Sequence, residues 1–264
     1  MTSTNGSTNG LDSTGARTEY RNVLVVGGTS GLGQAVAREF ARNARTVHIS
    51  YHGRHELAQK AAADVSNLGG SAQVHQLTLP DDDPKGPNIR RLFGEIGPCD
   101  AVVNCAVTND AVMATIANAA RFRAVVDANI FGTYQVSSIA AQAMAATGGG
   151  CVVNISSILT KKYIVGAMGY ITSKAAIESM TRGFAREFGR LGVRFTAVSP
   201  GPIRDTRLLA TVPQEAIEEI MGGPDYEERL LPPQKVAAAV RAIAGPEFSA
   251  MNGEVVTVDD GFSL

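Results

Sequence analysis

Short apolar runs alternate with helix-forming segments along almost the whole chain, and this alternation limits the fold more than any other feature. The runs at 23–26 and 151–153 are continuously hydrophobic instead of alternating with polar residues. Strands of this kind are covered on both faces, as in a parallel sheet that carries helices on either side. The repeated order of strand and helix therefore predicts a doubly wound α/β fold with a parallel sheet of about seven strands. The predicted strands lie near 22–27, 45–51, 72–78, 100–104, 150–155, 193–198 and 254–258, and the predicted helices near 31–43, 54–68, 86–96, 121–147, 169–190 and 233–244.

The length of 264 residues, 44% of them hydrophobic, fits one α/β domain with a substantial core. Residues 1–18 are rich in Ser, Thr, Asn and Gly, and we expect a disordered tail because they bury too little apolar surface. The remainder, 19–264, is predicted to form a single domain. Its proline-rich stretch at about 202–232 follows a strand end and has no strand pattern, which predicts a helical lid over the ligand edge of the sheet.

Charge and cysteine content exclude several classes of protein. Lys and Arg total 24 and Asp and Glu total 25, so the net charge of −1 argues against a nucleic-acid partner. No apolar run approaches the ~20 residues that span a bilayer, so no membrane partner is expected. Cys99, Cys105 and Cys151 lack disulfide or metal spacing and are expected to be reduced thiols of a cytoplasmic protein. The pair His52 and His55 has no carboxylate or Cys partner at a matching spacing, so we expect no metal site.

A glycine-rich loop joins the first predicted strand to the first predicted helix. Glycines allow a tight turn and a close approach of the backbone to phosphate, and the N–H groups at the head of the next helix attract an anion. The strand–loop–helix context favours a dinucleotide over an ordinary glycine turn, and the domain is therefore predicted to be a dinucleotide-binding (Rossmann) domain. The predicted contacts in this loop are Gly27, Thr29, Ser30, Gly31, Leu32 and Gly33.

The end of the second predicted strand favours a phosphorylated dinucleotide. Residues 50–54 read Ser-Tyr-His-Gly-Arg, with no acidic residue before Glu56. An NAD site places a carboxylate on the ribose 2′-hydroxyl, whereas a 2′-phosphate requires a cation. The sequence thus predicts NADP(H), bound by Arg54, with Tyr51 and His52 beside the adenine end. The alternative is that Arg54 is merely solvated at the start of a helix.

Tyr170 and Lys174 are four positions apart and would share one face of a helix. A free tyrosine has a pKa of about 10, and a nearby ammonium group lowers it. Tyr170 could then give a proton to a carbonyl oxygen or take one from an alcohol. Ser157, thirteen residues earlier and just beyond a strand end, could donate a hydrogen bond to the same oxygen. Ser156 is the neighbouring alternative, but it would point to the other side if the strand continued.

The glycine loop, Ser157 and the Tyr-x-x-x-Lys motif together resemble the short-chain dehydrogenase/reductase family, in the compact single-domain branch of 3-oxoacyl-[acyl-carrier-protein] reductase-like ketoreductases. The resemblance runs from about residue 22 to 261. It implies that Asn129 holds a water in a proton relay and that Lys174 binds the nicotinamide ribose. It also implies cofactor contacts at Asn104, Ala106, Tyr170, Lys174, Pro200, Gly201 and Ile203.

The chain departs from the family pattern after the fourth predicted strand. Cys105 and Val107 stand where the family has Asn and Gly in Asn-Asn-Ala-Gly, which puts the geometry of that loop in question. Lys161 and Lys162 lie near the predicted pocket mouth, where they either meet an anionic substrate or are solvated. By analogy with the family, the long helices would form a homodimer and the closing strand a homotetramer.

These features predict an NADPH-dependent carbonyl (keto) reductase or alcohol dehydrogenase that transfers a hydride between the nicotinamide and a ketone, with Tyr170 as the proton donor. A ketone carried on acyl carrier protein is an alternative to a small-molecule substrate. That alternative is weakened by residues 143–150, where such relatives often carry Lys or Arg and this chain has neither. The alternative function is a catalytically silent NADP-binding regulator of the same fold, which would have no need of the four reacting residues together.

Overall fold

The computed structural model describes residues 20–109, 119–204, 206, 214, 217–218 and 224–264. Across these residues, seven parallel strands form one sheet in the order β3-β2-β1-β4-β5-β6-β7, so the predicted fold class is confirmed. The predicted tail at 1–18 and about half of the predicted lid lie outside the described residues. The strands are β1 (Tyr20–Val26), β2 (Ala44–Tyr51), β3 (Ala72–Gln76), β4 (Ala101–Asn104), β5 (Gly150–Ile155), β6 (Val193–Pro200) and β7 (Val255–Val258).

Helices cover both faces of this sheet. The helices are α1 (Gly31–Glu39), α2 (His55–Asn67), α3 (Pro87–Ile96), α4 (Ala119–Val126), α5 (Gly132–Ala145), α6 (Met168–Phe188) and α7 (Pro233–Ala244). Within the described part of the chain, none is long and apolar enough to cross a membrane.

Strand β1 shows why its sequence is continuously hydrophobic. Val23 and Val25 belong to the core layer under α1, α2 and α7, whereas Leu24 and Val26 belong to the layer under α3, α5 and α6. Successive strand residues point to opposite faces, so a strand covered on both sides needs apolar residues at every position. All four side chains are almost completely buried.

The strand order reverses next to β1, which pairs with both β2 and β4. Val26 lies opposite Asn104 at the end of β4, and Asn104 lies opposite Asn154 near the end of β5. Because parallel strands all end at the same edge, the loops after β1, β4 and β5 meet there. A reversal of this kind opens the crevice in which doubly wound folds bind ligands.

The predicted continuous helix at 121–147 is wrong in one respect, because a π-helical turn at Asp127–Phe131 separates α4 from α5. Asn129 in this turn is 1% exposed, and its amide bonds the backbone N and O of Thr108, at 2.8 Å each, and the Ser173 hydroxyl at 3.0 Å. Wide turns of this type recur at functional sites, and here the turn directs an amide into the interior. Helical periodicity does not show such an insertion because the flanking turns remain helical.

A histidine pair joins β2 to β3. Nδ1 of His48 lies 3.0 Å from Nε2 of His75, and Nε2 of His48 lies 3.3 Å from Oδ1 of Asn22. Burial, with a smaller effect of His75, lowers the pKa of His48 to about 4. Burial also lowers the pKa of His75, and the carboxylate of Glu95 acts in the opposite direction. The folded protein therefore resists protonation of this pair.

We expect the free energy of unfolding to fall by about 2 kcal/mol between pH 7 and pH 5 through His48 alone. In this window the unfolded chain protonates His48 while the folded chain does not, so acid favours unfolding. Above a pH of about 6.5 both states are neutral and the full stability is present. Urea unfolding at both pH values would measure the fall, and His48→Gln should lose most of it. An equal fall in the variant would contradict the assignment.

Candidate active site

The glycine loop forms a tight connection between β1 and α1. Gly27 has a φ of +72°, and a Cβ on Gly33 would lie 2.4 Å from the carbonyl oxygen of Gly27. The Ser30 hydroxyl donates to that same oxygen at 2.9 Å and accepts from the Gly33 N–H at 3.0 Å, which caps α1. Gly31 and Leu32 head the helix, where backbone N–H groups have no helical partner and can receive an anion.

Strand β2 fixes this loop from the side. The Ser50 hydroxyl accepts from the Gly27 N–H at 3.2 Å, and the Ser50 carbonyl accepts from the Gly28 N–H at 3.0 Å. A Cβ on Gly28 would lie 2.7 Å from Ile49. Glycine is therefore required where this loop packs against β2 and α1. The loop and the head of α1 form a cradle of backbone that fits the pyrophosphate of a dinucleotide. Thr29, also predicted in this loop, is buried.

The predicted adenine end lies where β2 leaves the sheet. The Tyr51 hydroxyl is 2.7 Å from Nδ1 of His55, and Nδ1 of His52 is 3.1 Å from the Thr78 hydroxyl. Arg54 is exposed at the start of α2, and its guanidinium makes no hydrogen bond or ion pair with the described residues. A free cation beside two polar rings, with no carboxylate in the turn, fits a 2′-phosphate.

Asn104 and Ala106 occupy different environments after β4. The Asn104 amide donates to the Ser137 hydroxyl at 3.1 Å and to Oδ1 of Asn154 at 2.8 Å, so it belongs to an interior polar chain. Ala106 lies against the glycine loop, since a Cβ on Gly27 would be 2.6 Å from the Ala106 Cα. Asn104 thus joins the end of β4 to β5 and α5 inside the protein. Its contact with a cofactor stays a prediction.

Cys105, which stands where the family has Asn, follows Asn104 and is buried. Burial raises the pKa of its thiol to about 12, and the neighbouring Lys174 acts weakly in the opposite direction. The thiol is therefore neutral, and Cys99 and Cys151 are free and buried as well. In the described part of the chain, no group of three or more His, Cys, Asp or Glu side chains could hold a metal ion.

Pro200, Gly201 and Ile203 leave the sheet at the end of β6. The Gly201 N–H donates to the Val258 carbonyl at 3.0 Å, and Ile203 forms an isolated parallel bridge with Leu231. These contacts hold the segment at the carboxyl edge of the sheet, where the predicted nicotinamide end would lie. Their role in cofactor binding stays a prediction.

Tyr170 and Lys174 lie on one face of α6, as the spacing predicts. The Lys174 ammonium donates to the Ile155 carbonyl at 2.7 Å and lies 5.6 Å from the centre of the Tyr170 ring. Tyr170 is 6% exposed and packs among the apolar side chains of Leu159, Ile164, Ala167 and Ile171. Lys174 thus reaches the end of β5, while Tyr170 lies in a small apolar cluster.

The pKa of Tyr170 is shifted in the direction opposite to the one expected from a nearby ammonium group. Burial raises it to about 12, and a hydrogen bond from Ser157 acts in the opposite direction. Burial also lowers the pKa of Lys174 to about 8, so this ammonium group loses its proton more readily than an exposed lysine does. In the protein alone, burial therefore affects the pKa of Tyr170 more than the charge of Lys174 does, and Tyr170 is a neutral phenol near pH 7.

The structure separates Ser157 from its neighbour Ser156. The Ser156 hydroxyl turns away and donates to Oε1 of Glu178 at 2.7 Å. Ser157 begins a 3-10 turn at Ile158–Thr160, and its oxygen accepts from the Leu159 N–H at 3.2 Å. Of the two serines, Ser157 is the one whose hydrogen bond acts on the pKa of Tyr170, and its role in catalysis stays a prediction.

Asn129 connects the loop after β4 to α6. Its amide bonds the Thr108 backbone and the Ser173 hydroxyl, and that hydroxyl donates to the Tyr170 carbonyl at 2.7 Å. The side chain therefore braces the helix that carries Tyr170. The water-holding role implied by the family resemblance stays a prediction.

The structure also shows side-chain contacts near the site that the sequence did not predict. Lys161 donates to the Thr257 hydroxyl at 3.0 Å, and Lys162 donates to the Phe262 carbonyl at 2.9 Å, so both lysines hold the C-terminal segment. Glu178 lies one turn beyond Lys174. Its i+4 spacing from Lys174 was a readable signal, whereas the lysine contacts span 96 and 100 positions and have no local signal.

Comparison with known proteins agrees with this arrangement. The family model described as enoyl-(acyl carrier protein) reductase matches residues 26–263. The chain is 29% identical over 238 residues to a 3α-hydroxysteroid dehydrogenase of Mediterraneibacter gnavus, covering 89% of this chain and 94% of that protein. It is 28% identical over 242 residues to the 3-oxoacyl-[acyl-carrier-protein] reductase FabG of Chlamydia muridarum, covering 91% and 96%.

Among solved structures, a short-chain dehydrogenase/reductase family protein matches with a TM-score of 0.78 and 32% identity, covering 94% of this chain and 99% of that one. The family model, the sequence relatives and this structure all cover the glycine loop and the Tyr170 helix together. The chain is therefore a member of the short-chain dehydrogenase/reductase family of oxidoreductases.

Proposed function

We propose that this protein is an NADP(H)-dependent carbonyl reductase that runs in reverse as an alcohol dehydrogenase. The observation that carries the proposal is the convergence of Ser157, Tyr170 and Lys174 at the carboxyl edge of the sheet, where the glycine loop also ends. A bound nicotinamide supplies or accepts the hydride. The protein must then orient the carbonyl and manage one proton at its oxygen.

Tyr170 is suited to donate that proton. Because burial raises its pKa to about 12, the phenol is protonated near neutral pH and can act as an acid toward the oxygen of a ketone as negative charge develops. The Ser157 hydroxyl, which bonds Tyr170 in the protein alone, can turn its proton toward the same oxygen, because the Leu159 N–H occupies only a lone pair of Ser157. We assign Lys174 to the nicotinamide ribose and to resupply of the proton.

The cofactor assignment rests on two places. The glycine cradle from Gly27 to Gly33 would hold the pyrophosphate, and Arg54 would pair with a 2′-phosphate, with Tyr51 and His52 at the adenine end. The hydrogen bonds of Tyr51 and His52 with their neighbours hold both rings in place. A cation with no competing partner among the described residues pays little desolvation cost to meet a phosphate at the surface.

We assign a small apolar ketone as the substrate class. Tyr163, Val165 and Met168 are 76%, 83% and 56% exposed in the segment between Ser157 and Tyr170. Exposed apolar side chains grouped at a site favour an apolar ligand. The same segment also contains Lys161 and Lys162. Because both lysines donate hydrogen bonds to the C-terminal segment, they do not indicate an anionic substrate. A carrier-bound ketone remains the alternative that the name of the FabG relative supports.

The cofactor proposal is tested by titrating the protein with NADPH and NADH and following nucleotide fluorescence. We expect Arg54→Ala to raise the Kd for NADPH about 10-fold and to change the Kd for NADH by less than about twofold, since one charge-assisted pair is lost only with the 2′-phosphate. Arg45→Ala is the matched control, because Arg45 is exposed at the opposite end of β2. Tighter binding of NADH, or equal effects on both nucleotides, would overturn the assignment.

A further inference from the structure

Glu178 lies on α6 beside the turn that begins at Ser157. One of its carboxylate oxygens accepts hydrogen bonds from two hydroxyl groups. The Ser156 hydroxyl donates to Oε1 of Glu178 at 2.7 Å, and the Thr160 hydroxyl lies 2.9 Å from the same atom. Hydrogen bonds from hydroxyls to a carboxylate are stronger than neutral ones. The carboxylate therefore connects the residue just before Ser157 to the last residue of the turn that follows it.

The rest of the turn is organised around Ser157 itself. The Leu159 N–H donates to the Ser157 hydroxyl oxygen at 3.2 Å, and the Thr160 N–H donates to the Ser157 carbonyl at 3.1 Å. The Thr160 hydroxyl, at 3.0 Å from that carbonyl and 2.9 Å from Glu178, shares its single proton between them. Removing the carboxylate would release Thr160 from α6 and leave the Ser156 hydroxyl, which is 1% exposed, with only the more distant Lys174 carbonyl, at 3.5 Å, as an acceptor.

Glu178 also completes a series along α6. Tyr170, Lys174 and Glu178 follow one another at intervals of four, so all three project from one face of the helix. Lys174 attaches this face to the Ile155 carbonyl, and Glu178 attaches it to Ser156 one residue further along. The helix that carries Tyr170 is thus joined at successive residues to the strand end that carries Ser157.

We propose that Glu178 is a positioning residue that sets the place of the Ser157 hydroxyl relative to Tyr170. The proposal rests on the proposed function, because it matters only if Ser157 holds the reacting oxygen. A shift of about 1 Å at a reacting group can cost on the order of 100-fold in rate. Glu178 achieves its effect through two hydroxyls and the turn, without touching substrate or cofactor.

The test is a double-mutant cycle between Glu178→Leu and Ser157→Ala, with NADPH and ethyl acetoacetate as the carbonyl probe. We expect Ser157→Ala to lower kcat about 100-fold and Glu178→Leu about 10-fold, each with an unchanged Kd for NADPH. In the Ser157→Ala background, Glu178→Leu should change kcat by less than about twofold, because the group it positions is gone. Glu178→Gln should keep kcat within about threefold, since the amide oxygen still accepts both hydroxyls. Glu187→Leu, an exposed change on the same helix, is the control.

The possible outcomes separate the two claims. An additive loss in the double mutant, or no loss in Glu178→Leu while Ser157→Ala is impaired, overturns the positioning role alone. An unimpaired Ser157→Ala variant overturns the role of Ser157 and the positioning role with it, whereas a wild-type protein that binds NADPH but reduces no carbonyl probe overturns the proposed function.

Amide hydrogen exchange at Leu159 and Thr160 provides a readout that needs no substrate. We expect exchange at these two amides to be about 10-fold faster in Glu178→Leu and unchanged in Glu178→Gln and Glu187→Leu, because the turn opens locally without its anchor. Unchanged exchange in folded Glu178→Leu contradicts the positioning role. If Glu178→Leu does not fold, faster exchange in the milder Glu178→Asp variant supports the role, and unchanged exchange there opposes it.

Discussion

Replacing Tyr170 by Phe is expected to lower kcat for NADPH-dependent reduction of ethyl acetoacetate by about 10³-fold, within the range that loss of a general acid produces. The substitution removes one hydroxyl and keeps the ring, so the packing against Ile164 and Ala167 is preserved. Because the pKa of Tyr170 is raised to about 12, the phenol holds its proton near neutral pH and is the acid that the variant lacks. The Kd for NADPH should stay within about threefold, since most of the predicted cofactor contacts lie elsewhere in the chain.

Tyr134→Phe is the matched control, because Tyr134 lies on α5, outside the proposed site, and is 47% exposed. It should leave both kcat and the Kd for NADPH unchanged. If Tyr170→Phe kept its turnover, another group would be the proton donor. If wild-type protein bound NADPH tightly but reduced no ketone in a broad screen, the silent regulator would replace the enzyme as the preferred function.

Replacing Gly33 by Ala should have the second large effect, on cofactor binding and on stability. A Cβ there would lie 2.4 Å from the Gly27 carbonyl oxygen and 2.8 Å from the Gly28 Cα, and backbone atoms cannot move aside as the tip of a flexible side chain can. The start of α1 must therefore move away from the loop. We expect the free energy of unfolding to fall by about 1–3 kcal/mol, as for other overpacked sites. We expect the Kd for NADPH to rise about 100-fold because the anion-binding N–H groups are displaced.

Gly53→Ala is the control for this substitution. Gly53 lies near the same predicted cofactor site, and a Cβ there would meet no atom within 4 Å. Urea unfolding and NADPH titration of both variants should separate a specific clash from a general intolerance of side chains at glycines. Equal tolerance of Gly33→Ala and Gly53→Ala would show that close contact between helix and loop is not needed for binding.

Patterns that repeat over a few residues predicted the fold well. The apolar runs at 23–26 and 151–153 predicted buried parallel strands, because a strand covered on both faces must be hydrophobic throughout. The spacing of Tyr170 and Lys174 predicted a shared helix face, and the alternation of side chains along a strand separated Ser157 from Ser156. Each of these signals depends on local backbone geometry, which the sequence specifies directly.

Interactions between distant segments were decided by the tertiary structure. The pKa of Tyr170 rises although a lysine lies one turn away, because the amount of burial depends on how the loop at 158–167 packs over the ring. The Glu178 contacts with Ser156 and Thr160 and the Lys161 contact with Thr257 join positions 18 to 96 residues apart. The sequence by itself determined the helices and strands and which side chains are candidates for the reacting groups. Only packing decided which groups are desolvated and which carboxylate holds the serine turn, because desolvation and hydrogen bonding depend on neighbours that are remote in the chain.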